Sequence, residues 1–204
     1  HNGGGFADYG KLLTRFLMQE PYTYVSHLVS KSSRVVQREI IRQTPLQPEI
    51  VRMMQYTFGN KAMRALWAKT DGVMDTTYEK TVKPIRSAQN YSGFLVVMFD
   101  GMSASTTGLV CNTLRKRPNT LLAGLPAGCA VSGTFGQPTS FELPNSGING
   151  MISVLRFNQD TAKCVLTPIM PDVELPENPE DLLTGDDSQL KEIISLIRKR
   201  ISEQ

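Results

Sequence analysis

The sequence predicts an α/β domain with a mostly parallel sheet flanked by helices, a helical insertion and late β-hairpins. Three observations carry this reading. "GFLVVMF" (93–99) is an unbroken apolar run, "STTGLVCNTLRKR" (105–117) has helical spacing, and "NTLLAGLP" (119–126) is a second apolar run. Strand, helix, strand in that order is a crossover unit with a parallel pair, right-handed by default. "FELPNSGINGMISVLRF" (141–157) reads as a hairpin turning at "PNSG". The chain ends in "DDSQLKEIISLIRKRISEQ", an amphipathic helix.

Taken in order, "HNGGG" is a glycine loop that opens a helix, "FADYGKLLTRFLMQE". Tyr9, Leu12, Leu13, Phe16 and Leu17 recur at helical spacing, and Pro21 follows a natural stop. Free backbone N–H groups at such a turn suit an anion or an oxyanion. "YTYVSHLVS" (22–30) alternates and is β-branched, as in an exposed strand. "KSSRVVQREIIRQ" (31–43) is compatible with its continuation or with a short helix. "LQPEIVRMMQYTFGNKAMRALWAKT" (46–70) reads as one or two helices, so that residues 22–90 form an insertion or lid, closed by the polar connector "TYEKTVKPIRSAQNY". In the 105–117 helix Leu109 and Leu114 point inward, and its basic last turn matches the helix dipole. "AGCAVSGTFGQPTS" (127–140) reads as a long loop of small residues. "MPDVELPENPEDLLTGD" is a proline-punctuated exit segment. In the last helix (187–203), Leu190, Ile193, Ile194, Ile197 and Ile201 form a docking stripe. Asp186 is placed to cap it, with Gln189 as its capping-box partner.

Composition narrows the function. The 204 residues suit a single domain, and at 40% apolar and 20% charged they belong to a globular chain. A net charge of +3 gives no reason to invoke nucleic acid or an anionic membrane. The longest apolar run, Phe94–Phe99, falls far short of the ~20 residues a bilayer needs, so no membrane insertion is expected. Cys111, Cys129 and Cys164 are odd in number and lack a CxxC pair, which argues against disulfides and a metal site. No cofactor is called for. The opening "HNGGG", without Met, reads as the inside of a longer protein.

"FDGMSASTT" then poses the functional question. A nucleophile works best on a sharp strand-to-helix turn, where its side chain is exposed and the next backbone N–H points to the same place. Ser103 and Ser105 both lie at such a junction. Serine is also a favoured helix N-cap, and on this stretch alone capping is the simpler reading.

The order of the surrounding motifs tips the balance. "HNGGG", "GMSAS" opening a helix, "AGLP" with a glycine loop, "LPNSG" in a hairpin, "PD" before an apolar residue, and "GDDSQL" opening a last helix follow one another along nearly the whole chain. This resembles the tail-specific, or carboxyl-terminal-processing, serine protease family, with its tricorn-like and retinoid-binding-protein-like branch. The resemblance implies a crotonase/Clp-protease-like core. It places the nucleophile at Ser105 and the oxyanion donors at the amides of Thr106 and Gly4, with Gly5 close by.

The family's base is not found by the same matching. The lysine of one branch falls on Ala130, and no lysine lies between Lys116 and Lys163. The glutamate of the tricorn-like branch falls on Val165, Pro168 stands where that branch has glycine, and its histidine lies upstream of the glycine loop. Asp160, Asp172 and Glu142 are substitutes for the acid, each with a simpler reading as a turn or surface residue. His1 precedes the oxyanion loop, and His27 sits in a strand with no carboxylate at an obvious spacing. Cys111 and Cys129 lack the basic neighbours that activate a thiol. The expected function is a serine endopeptidase domain acting on polypeptides, its base supplied from outside this chain. The alternative is a catalytically inactive relative that binds peptides or proteins. The resemblance also implies an N-terminal PDZ-type module and a periplasmic, envelope-associated or secreted location.

Overall fold

The computed structural model describes residues 1–58, 64, 65, 67, 70–86, 88–159 and 165–202. Two compact units emerge. The first comprises His1–Tyr22, Val82–Val131 and Val165–Gln204, and the second Thr23–Thr81 and Ser132–Cys164.

The first unit contains helix α1 (Ala7–Leu17) and the crossover, with β3 (Leu95–Phe99), α4 (Thr106–Leu114) and β4 (Thr120–Gly124). Strand β7 (Val173–Glu174) and helices α5 (Pro179–Thr184) and α6 (Ser188–Ser202) complete it. Its sheet has the order β3-β4-β7 and is parallel throughout. Phe99, Cys111, Leu122, Ala127 and Ile169 form one buried cluster beneath the crossover, against which Val97, Cys129 and Val131 pack. Ala123, Leu175 and Ile193 form a second, joined by Val96, Leu196 and Ile197. Leu109 and Leu114 are buried, as the helical spacing requires.

The second unit contains β1 (His27–Lys31), α2 (Arg34–Gln43), α3 (Pro48–Phe58), β2 (Met74–Tyr78), β5 (Gly133–Glu142) and β6 (Asn149–Asn158). Its sheet, in the order β2-β1-β6-β5, is antiparallel at every pairing.

A mostly parallel sheet is therefore a misreading of this chain. The larger sheet is antiparallel, because hairpin β5–β6 pairs with β1 and not with the crossover strands. Residues 23–81 fall in the second unit together with 132–164. Strand β1 is central in its sheet, with Leu28 and Ser30 buried, and its partner β6 comes from more than a hundred residues later. The run 127–140 is a loop only as far as Ser132, after which it is strand. "KSSRVVQREIIRQ" resolves as helix, with Ser33 accepting from Val36 N–H as N-cap. Of the helical reading of 46–70, Pro48–Phe58 is confirmed, while 59–63, 66, 68 and 69 lie outside the described residues.

Three local expectations also change. Helix α1 forms, but Gly10 and Thr14 are its buried residues, while Tyr9, Leu12 and Leu13 are exposed. The small face lets α1 pack closely on α4. Arg117, expected to match the helix dipole in a basic last turn, is buried. It donates to the carbonyls of Leu17 (2.6 Å), Tyr91 (3.0 Å) and Gly93 (2.7 Å) and so ties three segments together. The cap of α6 is Asp187, whose carboxylate accepts from Leu190 N–H at 2.8 Å, while Asp186 pairs with Lys191 instead. Ile193 anchors that helix, whereas Leu190 and Ile201 are exposed.

Candidate functional site

The site grows from the end of β3. Asp100 opens a tight turn in which Ser103 N–H donates to Asp100 O (2.9 Å) and Met102 N–H donates to Asp100 Oδ1 (2.9 Å). This is the local turn chemistry of aspartate, bonding the backbone two residues on. The buried Ser103 hydroxyl donates to Asp100 Oδ1 (3.0 Å) and accepts from Asp100 N–H (3.2 Å). Ser103 is thus a latch within the turn. Its carbonyl accepts from Gly128 N–H at 3.0 Å and from the Cys129 thiol at 3.5 Å. Gly128 has no room for a side chain, since a Cβ there would lie 2.3 Å from Gly101 O. The "AGC" loop therefore buttresses the serine turn from behind.

Ser105 stands apart from Ser103. It occupies the N-cap position of α4 with φ 55° and ψ −126°, and its hydroxyl makes no capping bond. The capping reading is thereby corrected. The backbone conformation is that of the first central residue of a type II′ turn, a place that ordinarily requires glycine. A non-glycine residue there costs on the order of 1–3 kcal/mol, and such residues cluster at functional sites.

The glycine run packs directly on this turn. Ala104 N–H donates to Asn2 O (3.1 Å), and Thr106 Oγ1 donates to Gly5 O (2.7 Å). Residues 1–5 thus run alongside 100–106 in the same direction. Gly4 has φ 101°, and a Cβ on it would lie 2.6 Å from Ser105 Cβ and 3.0 Å from Thr106 N. Absence of that side chain keeps the space in front of the Thr106 amide open. Thr106 is the first residue of α4, where the N–H has no intrahelical partner and faces the positive end of the helix. Among the described residues, the Thr106 and Gly5 amides donate to no protein acceptor. The Gly4 amide is engaged, donating to Asn2 Oδ1 at 3.0 Å. Ser105, Gly4, Gly5 and Thr106 are therefore brought together, with Gly5 rather than Gly4 holding the free N–H in this conformation.

One neighbour was not foreseen. His1 Nδ1 pairs with Asp100 Oδ2. Burial pushes the Asp100 carboxyl up, while the Ser103 hydroxyl and Met102 N–H, both donating to it, pull it down. The "DG" turn signal was visible in the sequence, but its pairing with His1 needs the two segments side by side.

The remaining candidates are placed as follows. Ala130 pairs in an isolated bridge with Pro168, and Val165 is exposed. His27 lies in the second unit, with Nδ1 bonded to Ser26 Oγ at 2.9 Å and its ring against Tyr78. Asp172 Oδ2 accepts from Leu122 N–H (2.8 Å), a structural role beside β4. Glu142 ends β5, and Asp160 lies outside the described residues. Cys111 is buried, and burial foremost, then the nearby Cys129, push its thiol up to about 12, so it is no nucleophile. Cys129 is pushed up by burial as well.

No family model and no curated protein matches this chain. Solved structures do. Mature CPAF complexed with lactacystin superposes with a TM-score of 0.63 at 16% identity, over 100% of this chain and 43% of that one. A candidate peptidase from Parabacteroides merdae ATCC 43184 gives 0.52 at 18% identity, over 96% and 49%. The photosystem II D1 C-terminal processing protease is a more distant match, with a TM-score of 0.45 at 16% identity, over 92% and 38%. The chain spans less than half the length of each. It is the fold of the first two that this chain shares.

Proposed function

We propose that this chain is the larger C-terminal part of a serine endopeptidase catalytic domain, with Ser105 as the nucleophile. The observation that carries the reading is the backbone of Ser105, held at φ 55° with an uncapped hydroxyl on the residue before the Thr106 amide. A helix cap has no use for that conformation, and a nucleophile on a sharp turn does. In the reaction, Ser105 Oγ attacks the peptide carbonyl carbon and the carbonyl oxygen becomes an oxyanion. Thr106 N–H stabilises it together with an amide of the Gly4–Gly5 run. Gly5 N–H is the ready donor, and Gly4 N–H becomes one if it exchanges Asn2 Oδ1 for the oxyanion. The leaving amine departs with a proton, and water then releases the acyl group. The base that takes the Ser105 proton comes from outside this chain, since Ala130 and Val165 stand at the family's lysine and glutamate positions. The substrate is a polypeptide. The same resemblance supports a PDZ-type module N-terminal to this region and a periplasmic, envelope-associated or secreted location. Among the described residues no helix is long and apolar enough to cross a membrane.

A second reading is a non-catalytic relative that binds peptides. Ala130 and Val165 favour it, because neither branch's acid–base partner is present at its matching place.

Fluorophosphonate labelling of the full-length protein separates the two. Peptidase chemistry predicts labelling that disappears in Ser105→Ala. Labelling that persists in the variant removes Ser105 from the mechanism, and no labelling of either protein favours the binding module.

A further inference from the structure

Helix α2 carries Arg34, Gln37, Arg38 and Ile41 on one stripe, spaced i, i+3, i+4 and i+7. That spacing normally carries apolar residues toward a core. Here it carries two cations, and α2 has no buried residue. The stripe lines a cleft of about 450 Å³ together with Arg52 of α3. This volume is within the range of ligand sites. Both helices belong to the second unit, where the buried Val51 anchors α3 beside Arg52.

Arginines four apart on a helix repel each other, and a third brought in from another helix adds to the repulsion. The local carboxylates do not relieve it. Glu39 is taken by Arg42 at 2.9 Å, and Asp71 Oδ1 accepts the backbone N–H of Arg34 at 2.7 Å. Among the described residues, no carboxylate lies within ion-pair distance of the Arg34, Arg38 or Arg52 guanidinium. Among the described residues, the Arg38 side chain reaches only the Arg34 carbonyl, at 3.4 Å. Three guanidinium forks on one concavity form a geometry suited to bidentate capture of carboxylates.

We propose that this cleft binds an acidic segment of a polypeptide through its side-chain carboxylates. The lining favours peptide over nucleic acid. Ile41 supplies an apolar wall, while no aromatic ring among the described lining residues offers a base-stacking platform. A net charge of +3 is also low for a phosphate-polymer binder. The inference does not require Ser105 to be catalytic.

The test uses the full-length protein carrying Ser105→Ala, so that nothing is cleaved, and a fluorescein-tagged glutamate-rich peptide beside its glutamine counterpart. Anisotropy is expected to show the glutamate peptide binding at least about tenfold tighter, with affinity falling as salt rises. Arg34→Gln, Arg38→Gln and Arg52→Gln are each expected to weaken it by about tenfold, the loss of one charge-assisted bond. Arg198→Gln, on α6 of the other unit, is expected to change nothing, and unchanged thermal melting checks that each variant folds. Equal binding of the two peptides overturns the proposal. So does indifference to Arg38→Gln, or tighter binding of a single-stranded oligothymidylate than of the glutamate peptide. Fluorophosphonate labelling of the parent protein is scored separately, so failure here and failure at Ser105 are told apart.

Discussion

Replacing Ser105 by glycine is expected to make the protein more stable. At φ 55° and ψ −126° the residue sits where glycine is at ease and any β-carbon is strained. Relieving that strain returns roughly 1–3 kcal/mol. Glycine loses more backbone freedom on folding, which takes back about 0.5–1 kcal/mol. The hydroxyl makes no capping bond, so nothing further is lost there. The net is a gain of roughly 0–2.5 kcal/mol, read as a melting temperature higher by roughly 2–4 °C for each kcal/mol in a chain of this length. Ser105→Ala is the necessary companion. Alanine keeps the strain and removes only the hydroxyl, so its stability is expected within about 0.5 kcal/mol of the parent. A capping serine would behave oppositely, with Ala costing about 1 kcal/mol and Gly a few tenths. Urea denaturation and thermal melting of the three proteins decide the matter. If Ser105→Gly is less stable than the parent, or Ser105→Ala loses about 1 kcal/mol or more, the strain argument fails. With it goes the main support for a nucleophile on this turn.

Further outcomes follow from single contacts. Gly4→Ala is expected to cost about 2 kcal/mol or more, because its Cβ would meet Ser105 Cβ at 2.6 Å at a φ of 101°. Its fluorophosphonate labelling is expected to fall further than its stability, since the new methyl sits before the Thr106 amide. Asp187→Ala is expected to cost about 1 kcal/mol by melting, through the lost cap on Leu190 N–H, while Asp186→Ala is close to neutral. The Cys111 thiol ionises near 9.0 when unfolded, but in the folded protein burial, then Cys129, raise it to about 12. The native state keeps a proton that the unfolded chain releases, so stability present below pH 9.0 declines between pH 9.0 and about 12. Urea midpoints across that range are expected to fall less steeply in Cys111→Ala than in the parent.

Much of the first unit was legible because its signals are local. An apolar run on each side of a helical pattern produced β3, α4 and β4 within a few residues of the expected bounds. The hairpin turn at "PNSG" was legible for the same reason, through its proline, asparagine and glycine. Illegible features depend on partners distant in sequence. β1 read as exposed because alternation reports one buried face, not a central position between β2 and β6. Arg117 read only as part of a basic last turn because nothing near it in sequence announces the carbonyls of Leu17, Tyr91 and Gly93. At the site, motif order singled out Ser105 over Ser103, and the structure supplied the reason: one hydroxyl latches onto Asp100 while the other is left unused by the fold.

By itself the sequence determined which segments are strands and helices in the crossover, the hairpin and the terminal helix. It also determined that a serine turn and a glycine run belong to one chain. Hydrophobic period and turn chemistry act over a few residues, and a few residues suffice to read them. Tertiary structure alone decided that the two sheets differ in direction, that Gly4 lies against Ser105, and that Arg52 joins Arg34 and Arg38. Each of these is a contact between distant parts of the chain. The strain at Ser105 is of the same kind, because a residue is held at φ 55° only when packing around it, here Gly4, Asn2 and Gly128, leaves the turn no other shape.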